Sequence, residues 1–70
     1  MAVNRLGFDY NSDNEEYINA EAGLSIFNLS HSWKLCKVTS EFERELIESF
    51  ESLSDAYDFC DTQREDLGII

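Results

Sequence analysis

One histidine, two cysteines and fifteen carboxylates are the side chains in this 70-residue chain equipped to do more than pack. A zinc site or general acid–base chemistry would have to be built around His31 with Cys36 and Cys60. These supply at most three ligands and lack the close spacing of a metal motif. The residue types therefore predict a turn histidine and two reduced thiols used as small core residues. Asp9, Asn11 and Asp13 alternate like the start of a calcium loop. The sixth position of that loop would be Asn14 instead of glycine and the twelfth Ala20 instead of glutamate, which predicts a polar turn. No Ser-His-Asp order, phosphate-cradling glycine loop or nucleotide motif is present. The expectation is a protein that is not an enzyme and takes no cofactor and no metal.

The carboxylates are the stronger signal. Residues 1–39 hold five acids against Arg5, Lys34 and Lys37, whereas residues 40–70 hold ten against Arg44 and Arg64. A net charge of −10 weighted to one end argues against binding nucleic acid or an anionic membrane, since phosphates are held by lysine and arginine. Positions 41, 45, 48, 51, 55, 58, 61 and 65 are all acidic, at steps of three and four. On a helix they would form a stripe with a charge every ~5 Å over ~36 Å, a density of the order of a DNA strand's phosphates.

Positioning that stripe requires a helix, and two signals predict one. Ser40 and Glu43 have the spacing of a capping box. Phe42, Leu46, Phe50, Leu53, Tyr57 and Cys60 then recur with helical period. The pattern predicts an amphipathic helix over residues 40–66, with Gly68 as its left-handed C-cap and a bend near residue 52. At that point Ser52 can instead cap a shorter helix starting at Leu53. Upstream, 24–29 and 33–38 suit the strands of a hairpin, the first ten residues suit a third strand, and 15–22 suit either strand or helix. Leu24, Ile26, Cys36 and Val38 are assigned to one hairpin face, and Phe27, Leu29, Trp33 and Leu35 to the other.

The expected fold is a single α+β domain spanning residues 1–70, with residues 1–39 mainly strands and turns. In it a small antiparallel sheet of about three strands packs on one long C-terminal helix, and 67–70 form a tail. One helix covers one sheet face, so the other is covered by the N-terminal segment or by a second chain, as in a homodimer. The chain has no apolar run of signal or membrane-span length, which predicts a cytoplasmic protein. The expected function is binding: an inhibitor or regulator whose acidic face engages a basic protein surface, including one that itself takes nucleic acid. Its size and charge are similar in style to those of phage-encoded inhibitors. The expected contact residues are Glu41, Glu45, Glu48, Glu51, Asp55, Asp58 and Trp33. The alternative is a structural or regulatory homodimer kept soluble by the same acids.

Dense like charge has a stability consequence whichever function holds. Melting midpoints should rise between about 20 mM and about 300 mM salt, because added ions screen the repulsion over roughly 8–10 Å. An unchanged or lower midpoint at high salt would contradict it.

Overall fold

A computed structural model describes residues 6–40 and 43–69. Five strands, β1 (Asp9–Asn11), β2 (Glu16–Asn19), β3 (Leu24–Leu29), β4 (Ser32–Ser40) and β5 (Glu43–Phe50), precede helices α1 (Leu53–Thr62) and α2 (Arg64–Leu67). The strands form one antiparallel sheet in chain order. The expectation of about three strands under one long helix is thereby corrected. Residues 43–50 are a strand, and the helical part begins only at Leu53.

The tertiary environment explains why local propensity loses here. β4 is nine residues long, and one of its edges is taken by β3. A helix over 43–50 would leave the other edge bare, whereas β5 fills it with a ladder of hydrogen bonds. Acids three and four apart would also repel along a helix. Ser40 and Glu43, read as a capping box, instead face each other across β4 and β5.

A bulge is what made this strand look helical. Leu35 pairs with Glu48 and Cys36 with Leu46, so Ile47 is an extra residue on β5. Glu45 and Glu48, three apart, consequently share a face, a step that a regular strand does not allow. Leu46 and Phe50, four apart, fall on opposite faces, Leu46 with Cys36 and Phe50 with Trp33. The apparent apolar stripe was two half-stripes.

The register also re-sorts the hairpin. Ile26 pairs with Leu35 and Ser25 with Cys36, so Leu24, Ile26, Trp33 and Leu35 share one face while Phe27, Leu29, Cys36 and Val38 share the other. The first face holds the core: Tyr17, Leu24, Ile26 and Leu35 pack with Ala56, Tyr57 and Cys60 of α1 and with Phe8 and Ile69. The Tyr57 ring lies 5.8 Å from that of Phe8 and 6.2 Å, edge-on, from that of Tyr17.

Local chemistry sets the ends of the helical segment. Ser52 is extended (φ −142°, ψ 160°) and its hydroxyl accepts the Asp55 N–H at 3.0 Å, which starts α1. Gly68 takes φ 80° beyond α2, the Ile69 N–H reaches the Arg64 carbonyl at 2.9 Å, and Ile69 is returned to the core. At the other end, buried Asn19 donates to the Leu6 carbonyl at 2.8 Å and accepts the Ala22 N–H at 2.9 Å, clipping the N-terminal segment to the β2–β3 turn.

The β3–β4 turn is built less favourably. Ser30 and His31 both have positive φ, 53° and 67°, in a two-residue connection that normally takes Asn-Gly. Ser30→Asn with His31→Gly should stabilise the protein by about 1 kcal/mol, raising the midpoint by roughly 4–8 °C in a domain of this size. A thermal melt of the double variant that shows no gain would contradict the turn assignment.

Candidate functional site

The buried side of α1 is Ala56, Tyr57 and Cys60, so the helical period turns Asp55, Asp58 and Asp61 outward, and all three are exposed. Glu51 precedes them in the link from β5, and Glu65 and Asp66 follow on α2, also exposed. The compensation is slight. Arg64 Nη1 lies 3.4 Å from Asp61 Oδ1, with both side chains about half exposed, a geometry that contributes little. The last turn of α1 carries no basic residue, so Asp61 at the negative end of the helix dipole is relieved only by this half-exposed contact with Arg64.

The remaining expected contact residues are placed differently. Glu45 and Glu48 stand exposed on β5, Glu45 opposite Lys37, and Glu48 accepts the Ser49 N–H at 3.1 Å. Glu41 lies outside the described residues. Trp33 is half-buried and packs on the core, its ring 6.3 Å from that of Tyr17. Asp55 and Asp58 are thus brought together with Asp61 on one helix, while Glu45 and Glu48 belong to the sheet edge. The single stripe of ~36 Å reduces to a row from Asp55 to Asp61 of roughly 9 Å.

A second charged cluster lies on the sheet face away from α1. Arg44 on β5 reaches across β4 and β3, and its Nη2 meets Glu16 Oε1 at 2.9 Å. Ser25 donates to Glu16 Oε2 at 2.6 Å, and Asn14 Nδ2 is 3.5 Å from Oε1. Ser25 and Cys36, small and buried, pair in the sheet between these two ends, leaving room for the ion pair to pass over them. Burial pushes the Glu16 carboxyl up, but hydrogen bonds from Arg44 and Ser25, the Arg44 charge and Asn14 together outweigh it and hold the carboxyl below its ordinary value. A carboxylate so occupied is a brace and not a general base. Spacing offered no signal for it, because Glu16 and Arg44 are 28 residues apart.

The thiols are likewise withdrawn from chemistry. Burial raises Cys36, against the opposing charge of Arg44, and raises Cys60 to about 11. Both are therefore protonated near neutral pH, when a nucleophile or metal ligand must be a thiolate. His31 sits exposed at the β3–β4 turn. Asn11 Oδ1 accepts the Asp13 N–H at 2.9 Å, so Asp9 lies in β1 and Asn11 to Asp13 form an Asx turn at its end. Among the described residues, no group of three His, Cys, Asp or Glu side chains is arranged for a metal, and no helix is long and apolar enough to cross a membrane.

Glu16 makes a pH prediction with a definite sign. Its lowered folded value means that the ion pair's contribution is complete above the ordinary carboxylate value of 4.5 and is lost as pH falls through the folded value. At pH 7, Glu16→Gln should cost about 1–3 kcal/mol. Denaturant melts against pH should show the gap between parent and variant closing only below about 4.5; a gap independent of pH would contradict it. Compared with protein-family models, curated proteins and solved structures, the chain matches none, so any functional reading rests on these surfaces alone.

Proposed function

We propose that the protein is a small binding module, not an enzyme, and that it engages a basic protein surface through the outward side of α1 and α2, as an inhibitor or regulator of that partner. The observation that carries this reading is the exposed row Asp55, Asp58 and Asp61, continued by Glu65, with Arg64 as the one base set among them. Such a row has a strong local potential that steers a basic surface inward and rejects acidic ones. It also has an energetic cost: repulsion at steps of three, and Asp61 against the helix dipole. Asp55 suits the first turn of α1 and Glu65 that of α2, whereas Asp61 opposes the helix end that carries it, which solubility alone does not require.

The shortened row bears on the partner class. At roughly 9 Å it no longer matches several successive phosphates along a groove, which favours a compact basic patch. A nucleic-acid-binding protein would supply one.

Charge reversal on α1 tests the reading. Asp58→Lys with Asp61→Lys leaves the buried side untouched, and lysine at position 61 suits the helix end, so the fold should persist by circular dichroism. A basic partner recovered at low salt should be released as salt rises, and its affinity for the double variant should fall at least about tenfold, a loss of some 1.4 kcal/mol. Undiminished binding to the double variant would leave α1 a merely solvated surface. Competition by double-stranded DNA for the recovered partner would identify the contacted patch as one that takes nucleic acid.

A further inference from the structure

The sheet face opposite α1 has no covering element among the described residues. The core contains Tyr17, Leu24, Ile26 and Leu35 from the other face, and the N-terminal segment joins that same core through Leu6 and Phe8. On the bare face stand Ile18, Phe27 and Val38, half-buried, with Leu46 and Leu29 at 58% and 55% exposure. Ile47, the bulge residue beside Leu46, adds a further exposed apolar side chain. Apolar surface grouped in this way marks an interaction site.

The charges on this face identify its occupant. Along its regular rows they are Asp9 on β1, Glu16 on β2, Lys34 on β4 and Arg44 on β5. Two of each sign make it nearly neutral on a chain of net charge −10. It is therefore a face on which two copies can approach without meeting their excess charge. The signs are also ordered, acids on the β1–β2 flank and bases on the β4–β5 flank. Glu16 and Arg44 are already paired within each copy at 2.9 Å, which leaves Asp9 and Lys34 to balance each other on the face. A two-fold axis lying along β3 would set Phe27 of one copy against Phe27 of the other. The sheet edge is a poorer route, because β5 is bulged at Ile47 and carries Glu43, Glu45 and Glu48.

We infer that a second copy of this chain covers the β1–β5 face, forming a symmetric, reversible dimer. With strands ~4.8 Å apart, the face projects to roughly 20 by 20 Å, or about 800 Å² for the pair. That lies at the small end of specific interfaces, where association is weak. The dimer does not rest on the acidic-face reading, since the two surfaces lie on opposite sides of the sheet.

Sedimentation across roughly 10 µM to 1 mM, the range that a small interface populates, should show a monomer–dimer equilibrium. Leu46→Glu, at an exposed site, and Lys34→Glu should each raise the dissociation constant at least about tenfold while leaving the circular dichroism spectrum unchanged. Salt should strengthen the dimer, because two acidic copies repel, and weaken capture of a basic partner. The opposite signs keep a failure of one proposal distinct from a failure of the other. A monomer at every concentration, or a dimer that both substitutions leave unchanged, would overturn the inference.

Discussion

Among the described residues, a sheet of five strands with two short helices has two faces and material to bury only one, and the contact that resolves this is the ion pair between Glu16 and Arg44. Its oxygen and nitrogen meet at 2.9 Å although two strands separate the residues. The pair ties the strand next to one edge to the strand that forms the other, and covers Ser25 and Cys36, which have no helix above them. Buried charge is ordinarily a weak source of stability, because desolvation offsets the attraction. Here Glu16 also receives Ser25 Oγ at 2.6 Å, and Arg44 Nη1 donates to the Ser40 and Glu43 carbonyls at 3.1 Å each. With its acceptor sites filled, the carboxylate stays ionised, and the brace holds without a second layer.

That brace frees α1 to serve the opposite face, where the anchoring is apolar and aromatic. Tyr57 touches both Phe8 and Tyr17, so one helical side chain joins the N-terminal segment, β2 and α1. Two backbone devices complete this side. Gly7, at φ 82°, lies so close to Asn19 that a β-carbon there would be 2.9 Å from Nδ2, and the left-handed turn at Gly68 aims Ile69 inward. With 70 residues the core is thin, and adding Leu6, Phe8 and Ile69 to it enlarges it.

The parts of this fold legible in the sequence are those governed by local chemistry. Residues 24–29 and 33–38 read as a hairpin because β-branched and aromatic residues cluster there, and they lie in β3 and β4. The Ser52 cap and the Gly68 turn are also local, since each depends on one side chain and its next few amides. The strand at 43–50 was not legible. Its bulge at Ile47 gives strand residues a spacing of three, and its helix-favouring residues are overruled by the open edge of β4. Face assignment in the hairpin failed for a related reason: the two-residue turn sets which residues pair, and positive φ at Ser30 and His31 cannot be read from residues that ordinarily avoid it. Of the candidate site, Asp55 and Asp58 could be placed together from their spacing, whereas Glu45 and Glu48 depended on a helix that does not extend to them.

The distribution of charge that results has a physical logic of its own. Among the described residues every carboxylate except Glu16 remains at least partly in water, and Glu16 is neutralised by Arg44. Lys34, the other base of the bare face, is directed along it by a hydrogen bond to Ser49 at 3.1 Å. Two of the chain's five bases are thus spent on that face, leaving α1 and α2 with Arg64 alone. Moving either base to the helices would quiet their potential and leave an unpaired acid or a net negative charge on the bare sheet. The acidity of one side and the neutrality of the other are therefore a single allocation, and a substitution that alters one necessarily shifts the contrast between them.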